Sequence, residues 1–112
     1  MTQLSDEQID QVSGRELDEA VARARGWERK DGYWYGPPFG DFAFNRPHEI
    51  HNDLGAAMGL LMDCKGVAVN ITDTMVQVIT GLTAADLIAM GPKEQAATVL
   101  CRAWLKIKNR GM

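Results

Sequence analysis

Seven of the eight aromatic side chains, Trp27, Tyr33, Trp34, Tyr35, Phe39, Phe42 and Phe44, fall within residues 27–47, a segment that also holds three of the four prolines. Aromatic side chains bury more area than any others, and Tyr and Trp add a polar handle. These rings do not follow the spacing of a helix stripe, so the segment is either a satellite core or a binding surface. The elements on either side of it must supply the principal core.

Upstream, Ser5-Asp6-Glu7-Gln8 is a capping box ahead of Ile9 and Val12, which predicts a helix over 5–12. Ser13-Gly14-Arg15-Glu16 reads as a second box. It comes where the apolar phase slips, because a continuing helix would need an apolar residue at position 16. Leu17, Ala20, Val21 and Ala24 supply the stripe of a second helix over 14–25, closed by Gly26 as a C-cap glycine. Next, residues 27–30 and 33–35 flank Asp31-Gly32, one of the strongest two-residue hairpin signals. Gly36-Pro37-Pro38 stops the second strand, since proline cannot donate to a ladder. Residues 36–51 form a long irregular connection, and such loops are more often functional than idle.

Downstream, His51 or Asn52 caps a third helix, with Asp53 in its first turn and Leu54, Met58, Leu61 and Met62 as its apolar stripe. Gly55 and Gly59 lie four apart on an adjacent line and weaken that helix unless something packs closely there. Gly66 ends it. Val67, Val69 and Ile71, followed after Asp73-Thr74 by Val76 and Val78, alternate with Ala68, Asn70, Thr72, Met75, Gln77 and Ile79. That is a β-hairpin with one apolar face and one mixed face. Thr83-x-x-Asp86 caps a short helical turn. Pro92 opens a last helix with the stripe Ala96, Val99, Leu100, Ala103, Trp104 and Ile107. The order predicts an α+β fold, an antiparallel sheet from two hairpins layered with helices. At 112 residues the chain is expected to be a single domain over 1–112, with residues 1–12 a short helical extension.

The composition, 46% hydrophobic and 24% charged, is that of an ordinary globular protein. No apolar run approaches the ~20 residues of a membrane span. The N-terminal Met-Thr-Gln-Leu-Ser-Asp-Glu is acidic where an export signal would be basic, so a cytoplasmic location is expected and Cys64 and Cys101 read as free thiols. The net charge of −3 hides segregation: residues 1–22 carry one positive and six negative charges, and residues 93–112 five positive and one negative. Such an acidic chain disfavours general nucleic-acid binding, which needs a large basic surface. Lys106, Lys108 and Arg110 fit the complement of a helix C-terminus.

His48-Glu49-Ile50-His51-Asn52-Asp53 is the one cluster with the residue types of a metal site. Two histidines at that spacing fall short of the three or four converging ligands zinc takes, so no metal or cofactor is expected. Neither cysteine has a context that would lower its pKa, no phosphate-cradling glycine loop follows a strand, and the carboxylates sit on early helical turns. The sequence therefore predicts a protein that is not an enzyme. The aromatic segment carries the functional expectation. Strand alternation sends Tyr33 and Tyr35 to one side and Trp34 to the other. Rings stack on bases and Arg46 or Arg29 can hold a phosphate, so Tyr33, Trp34, Tyr35, Phe39, Arg46 and His48 are the ligand-binding candidates.

The run from Ser13 to Ala22 closing on Gly26-Trp27, the Gly32-Tyr33-Trp34-Tyr35-Gly36-Pro37-Pro38 segment, the polar-capped Asn52-Asp53-Leu54-Gly55-Ala56-Ala57 and the final helix from Ala97 to Lys106 together resemble the phage ABA-sandwich domain family. The similarity spans roughly residues 13–107 and departs from the family pattern at Met58 and over residues 42–48. It implies a layered α-β-α sandwich and a phage origin, hence the host cytoplasm, and no particular chemistry. Two functions follow as expectations. One is a non-enzymatic phage accessory protein that binds or sequesters a small partner, such as a nucleotide-derived host defence signal. The other is a protein-interaction module acting on a host protein or within phage assembly or DNA machinery. In either case a homo-oligomer is expected, from the Gly55/Gly59 line and the surplus rings.

Overall fold

The computed structural model describes residues 4–36, 49–62, 64, 66–80 and 86–109. It is α+β, as the element order implies. Helices α1 (Asp6–Gln11) and α2 (Gly14–Ala24) lead into strands β1 (Glu28–Lys30) and β2 (Tyr33–Tyr35). A 3-10 turn (Ile50–Asn52) then precedes α3 (Leu54–Met62), strands β3 (Val67–Ile71), β4 (Met75–Thr80) and β5 (Asp86–Pro92), a second 3-10 turn (Lys93–Gln95) and α4 (Ala96–Asn109).

The capping box at α1 closes in both directions: Gln8 N–H donates to Ser5 Oγ at 3.2 Å and Ser5 N–H to Gln8 Oε1 at 2.8 Å. The second box does not form. Ser13 makes no side-chain cap bond, although the break between the helices falls where the apolar phase slips. The end of α2 is a Schellman motif: Trp27 N–H reaches the Ala22 carbonyl and Gly26 N–H that of Arg23, with Gly26 at φ 93°. Asp31 (φ 54°) and Gly32 (φ 84°) make the two-residue turn that pairs Lys30 with Tyr33 and Arg29 with Trp34.

Three expectations are corrected here. Asp53, rather than His51 or Asn52, caps α3, its Oδ1 accepting from Ala56 N–H at 3.0 Å. The buried face of α3 is Ala57 and Leu61, while Leu54 and Met62 are exposed. The helix reads Leu-Gly-Ala-Ala-Met-Gly-Leu-Leu-Met, so it has no polar face for periodicity to mark and several stripes fit equally well. Finally, Asp86–Pro92 is a strand, and helix α4 begins only at Ala96. Leu87-Ile88-Ala89-Met90 is an apolar run without alternation, which cannot be assigned by period alone, and a bulge opposite Val78 and Ile79 breaks its register further. Pro92 is tolerated because β5 is an edge strand. Thr83 lies outside the described residues.

The hairpins belong to separate sheets, one of β1-β2 and one of order β3-β4-β5, all antiparallel. Helix α4 is the centre of the molecule, buried from Ala96 to Ile107 except for half-buried Arg102. One side of it packs on Val76, Val78, Ile88 and Ala89 of the three-stranded sheet; Ile9, Leu17, Val21, Ala57 and Leu61 of the other helices complete the core. Burial of such aliphatic side chains is the main stabilising term, about 1.5–3 kcal/mol for each Val, Leu or Ile and less for the alanines.

A polar line at i, i+4 and i+7 on α4 holds the N-terminal helix. Arg102 donates twice to the Val12 carbonyl at 2.9 and 3.0 Å, and Asn109 donates to the Leu4 carbonyl. Lys106, buried on α4, meets Asp10 at 2.6 Å and donates to the Ile88 carbonyl at 3.0 Å. Lys106 is therefore a tertiary tie and not the exposed helix-end charge expected; its position on the inner side of the last turn decides this. Arg110 lies outside the described residues. Among the described residues no helix is long and apolar enough to cross a membrane.

Candidate functional site

The aromatic hairpin divides as strand alternation requires, Trp34 to the inside and Tyr33 and Tyr35 to the other face. Trp34 is 0% exposed. Its indole Nε1 has no hydrogen-bond partner among the described residues, and the Arg23 guanidinium lies over its ring at 5.2 Å from the centroid. Tyr33, 45% exposed, and half-buried Tyr35 face the other way. Gly36 passes directly beneath Trp27: a Cβ on it would stand 2.3 Å from Trp27 Cγ, so no larger residue fits there. Phe39, Arg46 and His48 lie outside the described residues, as do all positions from 37 to 48.

Beside the buried Trp34–Arg23 pair opens a cleft of about 760 Å³ between α1, α2 and the C-terminal part of α4. Leu4, Ile9, Val12, Ala20 and Leu105 give it an apolar floor, and Glu16, Glu19, Arg23 and Lys108 line it with charge. Its wall is fixed by the α4 ties to α1 described above. The volume falls within the range of small-molecule sites, which combine apolar lining with a few polar groups. Both cations are braced by tryptophan: Arg23 rests on Trp34, and Lys108 Nζ lies 5.6 Å from the centroid of Trp104. A cation over an indole face is attracted by the ring quadrupole, which holds its position without neutralising its charge.

A second polar cluster joins α2, the first 3-10 turn and α4. Buried Asp18 accepts from the His51 backbone N–H at 2.9 Å and from its Nδ1 at 2.8 Å. Thr98 donates to the His51 carbonyl at 3.3 Å, and Cys101 Sγ donates weakly to the Ile50 carbonyl at 3.8 Å. Burial, with the nearby Asp18 charge adding to it, pushes the Cys101 thiol up to about 12. A thiol held protonated is a poor nucleophile, so this cluster has the chemistry of a structural clip that fixes residues 50–52 on α4. Among the described residues no group of three His, Cys, Asp or Glu side chains converges as metal ligands would.

The cleft residues are not those the sequence singled out. Glu16, Glu19 and Arg23 lie on one line of α2 at i, i+3 and i+7, and Trp104 and Lys108 are i, i+4 on α4. Those spacings are visible in the sequence. That the two lines face one another across α1 is a tertiary fact, joining residues more than eighty positions apart. Compared with protein-family models, curated proteins and solved structures, the chain finds no significant match.

Proposed function

We propose that the protein works by binding rather than catalysis, and that the α1–α2–α4 cleft takes a small anionic amphipath of nucleotide type. The observation that supports this reading is the pairing of an apolar floor with two tryptophan-braced cations in a cleft of about 760 Å³. A flat ring is received by the half-buried Leu4, Val12 and Ala20. Arg23 and Lys108 meet phosphate oxygens through charge-assisted hydrogen bonds, and Glu16 and Glu19 accept from sugar hydroxyls. In the phage setting implied by the sequence resemblance, such a protein sequesters a nucleotide-derived host signal.

The test is calorimetry and thermal shift of the purified chain against cyclic dinucleotides, ADP-ribose and related compounds. A ligand at about 100 times its Kd raises stability by about 2.7 kcal/mol. Arg23→Ala and Lys108→Ala should each weaken binding at least tenfold. The absence of binding across the panel, or affinity unchanged in both variants, overturns the reading.

A further inference from the structure

The outer face of the three-stranded sheet points away from α4 and has no described element packed on it. Register places its side chains in three rows across the strands: Ala68, Ile79 and Leu87; Asn70, Gln77 and Met90; Met75 and Pro92. Leu87 is 53% and Met90 51% exposed. Charge is missing from this face. From Gly66 to Thr80 the one charged residue is Asp73, in the turn between strands, and Leu87 to Pro92 contains none. In a chain that is 24% charged, an uncharged sheet face left to water is unusual. Its two amides are paired in part among themselves. Asn70 Nδ2 donates to Gln77 Oε1 at 3.3 Å, and Gln77 Nε2 donates to Met90 Sδ at 3.7 Å. That leaves Asn70 Oδ1 and one N–H of each amide to be paired by whatever covers the face.

We propose that a second copy of this chain covers this face, the two sheets stacking about a two-fold axis to form a dimer. Charge selects this occupant. Two copies of one surface carry the same charges, so a charged row would be set against like charge, and no described side chain of this face is charged. Shape agrees. With the axis in the plane between the sheets, whether along the strands or along the central row, an apolar row falls on an apolar row and the Asn70–Gln77–Met90 row falls on itself. Area agrees too: three strands about 4.8 Å apart and roughly 20 Å long give about 300 Å² of plane per copy. With side-chain relief on both faces the total is on the order of 1,000 Å², the lower bound for a specific interface. An interface of this size belongs to the weak, transient class, so the dimer is sought at micromolar concentrations and above. The cleft between α1, α2 and α4 lies on the other side of the sheet, so the dimer forms and fails independently of the ligand reading.

Sedimentation and light scattering of the full chain from about 2 to about 200 µM test this range of affinities. The weight-average mass should climb from 12.4 kDa towards twice that value. Leu87→Glu and Met90→Glu each hold it at the monomer value. Since both side chains project outward, helical circular dichroism should be unchanged. A second measurement needs no variant: peroxide oxidation of Met90 slows several-fold with rising concentration, while Met62, 81% exposed on α3, oxidises at a constant rate. A mass that stays monomeric throughout overturns the proposal. So does a dimer that survives both substitutions, or one in which Met62 is protected and Met90 is not, which would place the seam on α3.

Discussion

Gly91 is where the β5 strand, unseen in the sequence, meets the central helix. A Cβ added there would lie 2.5 Å from Val99 Cγ2, whereas carbon atoms rest at about 3.5–4.0 Å. Gly91→Ala thus demands about 1 Å of movement from a side chain that is buried, β-branched and stiff at χ1. Overpacking of this size costs about 1–3 kcal/mol. Against it, Gly91 is not among the glycines with positive φ, so alanine there lowers unfolded-state entropy and returns roughly 0.4–1 kcal/mol. The clash wins, leaving a net loss of about 1–2 kcal/mol. At roughly 4–8 °C per kcal/mol for a domain near this size, Tm should fall by about 5–15 °C.

A double-mutant cycle separates this from general weakening. Val99→Ala alone opens a cavity and destabilises the fold, typically by about 2 kcal/mol. In Gly91→Ala/Val99→Ala the new methyl enters the vacated space, so the pair should be less destabilised than the sum of the singles by about 1–2 kcal/mol. Urea denaturation followed by tryptophan fluorescence reads all four proteins. If Gly91→Ala is as stable as the parent, or the two changes simply add, the β5–α4 packing described above is wrong.

Two further outcomes follow from the clips around α4. The Cys101 thiol has its pKa raised from 9.0 to about 12. The folded state therefore keeps its proton where the unfolded chain gives it up: the associated stability is complete below about pH 9 and drains away as pH rises towards 12. Relative to Cys101→Ala, the parent should lose up to about 1.4 kcal/mol per pH unit above pH 9 and nothing below it; parallel curves throughout would refute the assignment. Arg102→Met keeps the aliphatic stem but removes both donors to the Val12 carbonyl. Hydrogen bonds from a charged donor are worth about 1.5–3 kcal/mol, so amides of residues 6–12 should exchange faster while those of β4 keep their protection.

What the sequence disclosed and what it withheld divide on physical lines. Elements marked by chemistry that acts within a few residues were legible: the Ser5–Gln8 box, the Gly26 cap, the Asp31-Gly32 turn, the β3–β4 alternation and the long stripe of α4. Elements whose identity depends on distant partners were not. Helix α3 has apolar residues on every side, so only contact with α4 chooses Ala57 and Leu61 as its buried face. Strand β5 is a short apolar run whose pairing with β4 alone makes it a strand. The site behaved likewise. The ring cluster was visible, but Trp34 turned inward, and the cations beside the cleft come from helices at opposite ends of the chain.

That asymmetry explains why so many polar side chains touch α4. An apolar helix packed on apolar neighbours is held strongly, but its contacts carry no fixed partner, and a core repacked with its volume conserved is tolerated. Hydrogen bonds are less forgiving: a buried donor or acceptor displaced by one turn loses its partner and bears the full desolvation penalty. Arg102 on the Val12 carbonyl, Asn109 on that of Leu4 and Thr98 on that of His51 each fix one segment against α4 at a single register. The Asp18 clip on His51 does the same for the turn that ends the long connection. The cleft is a consequence of this division of labour. Ile9 and Leu105 of its floor are already buried, at 1% and 6% exposure, and Arg102, Lys106 and Asn109 of α4 set the position of α1 beside them through the Val12 carbonyl, Asp10 and the Leu4 carbonyl.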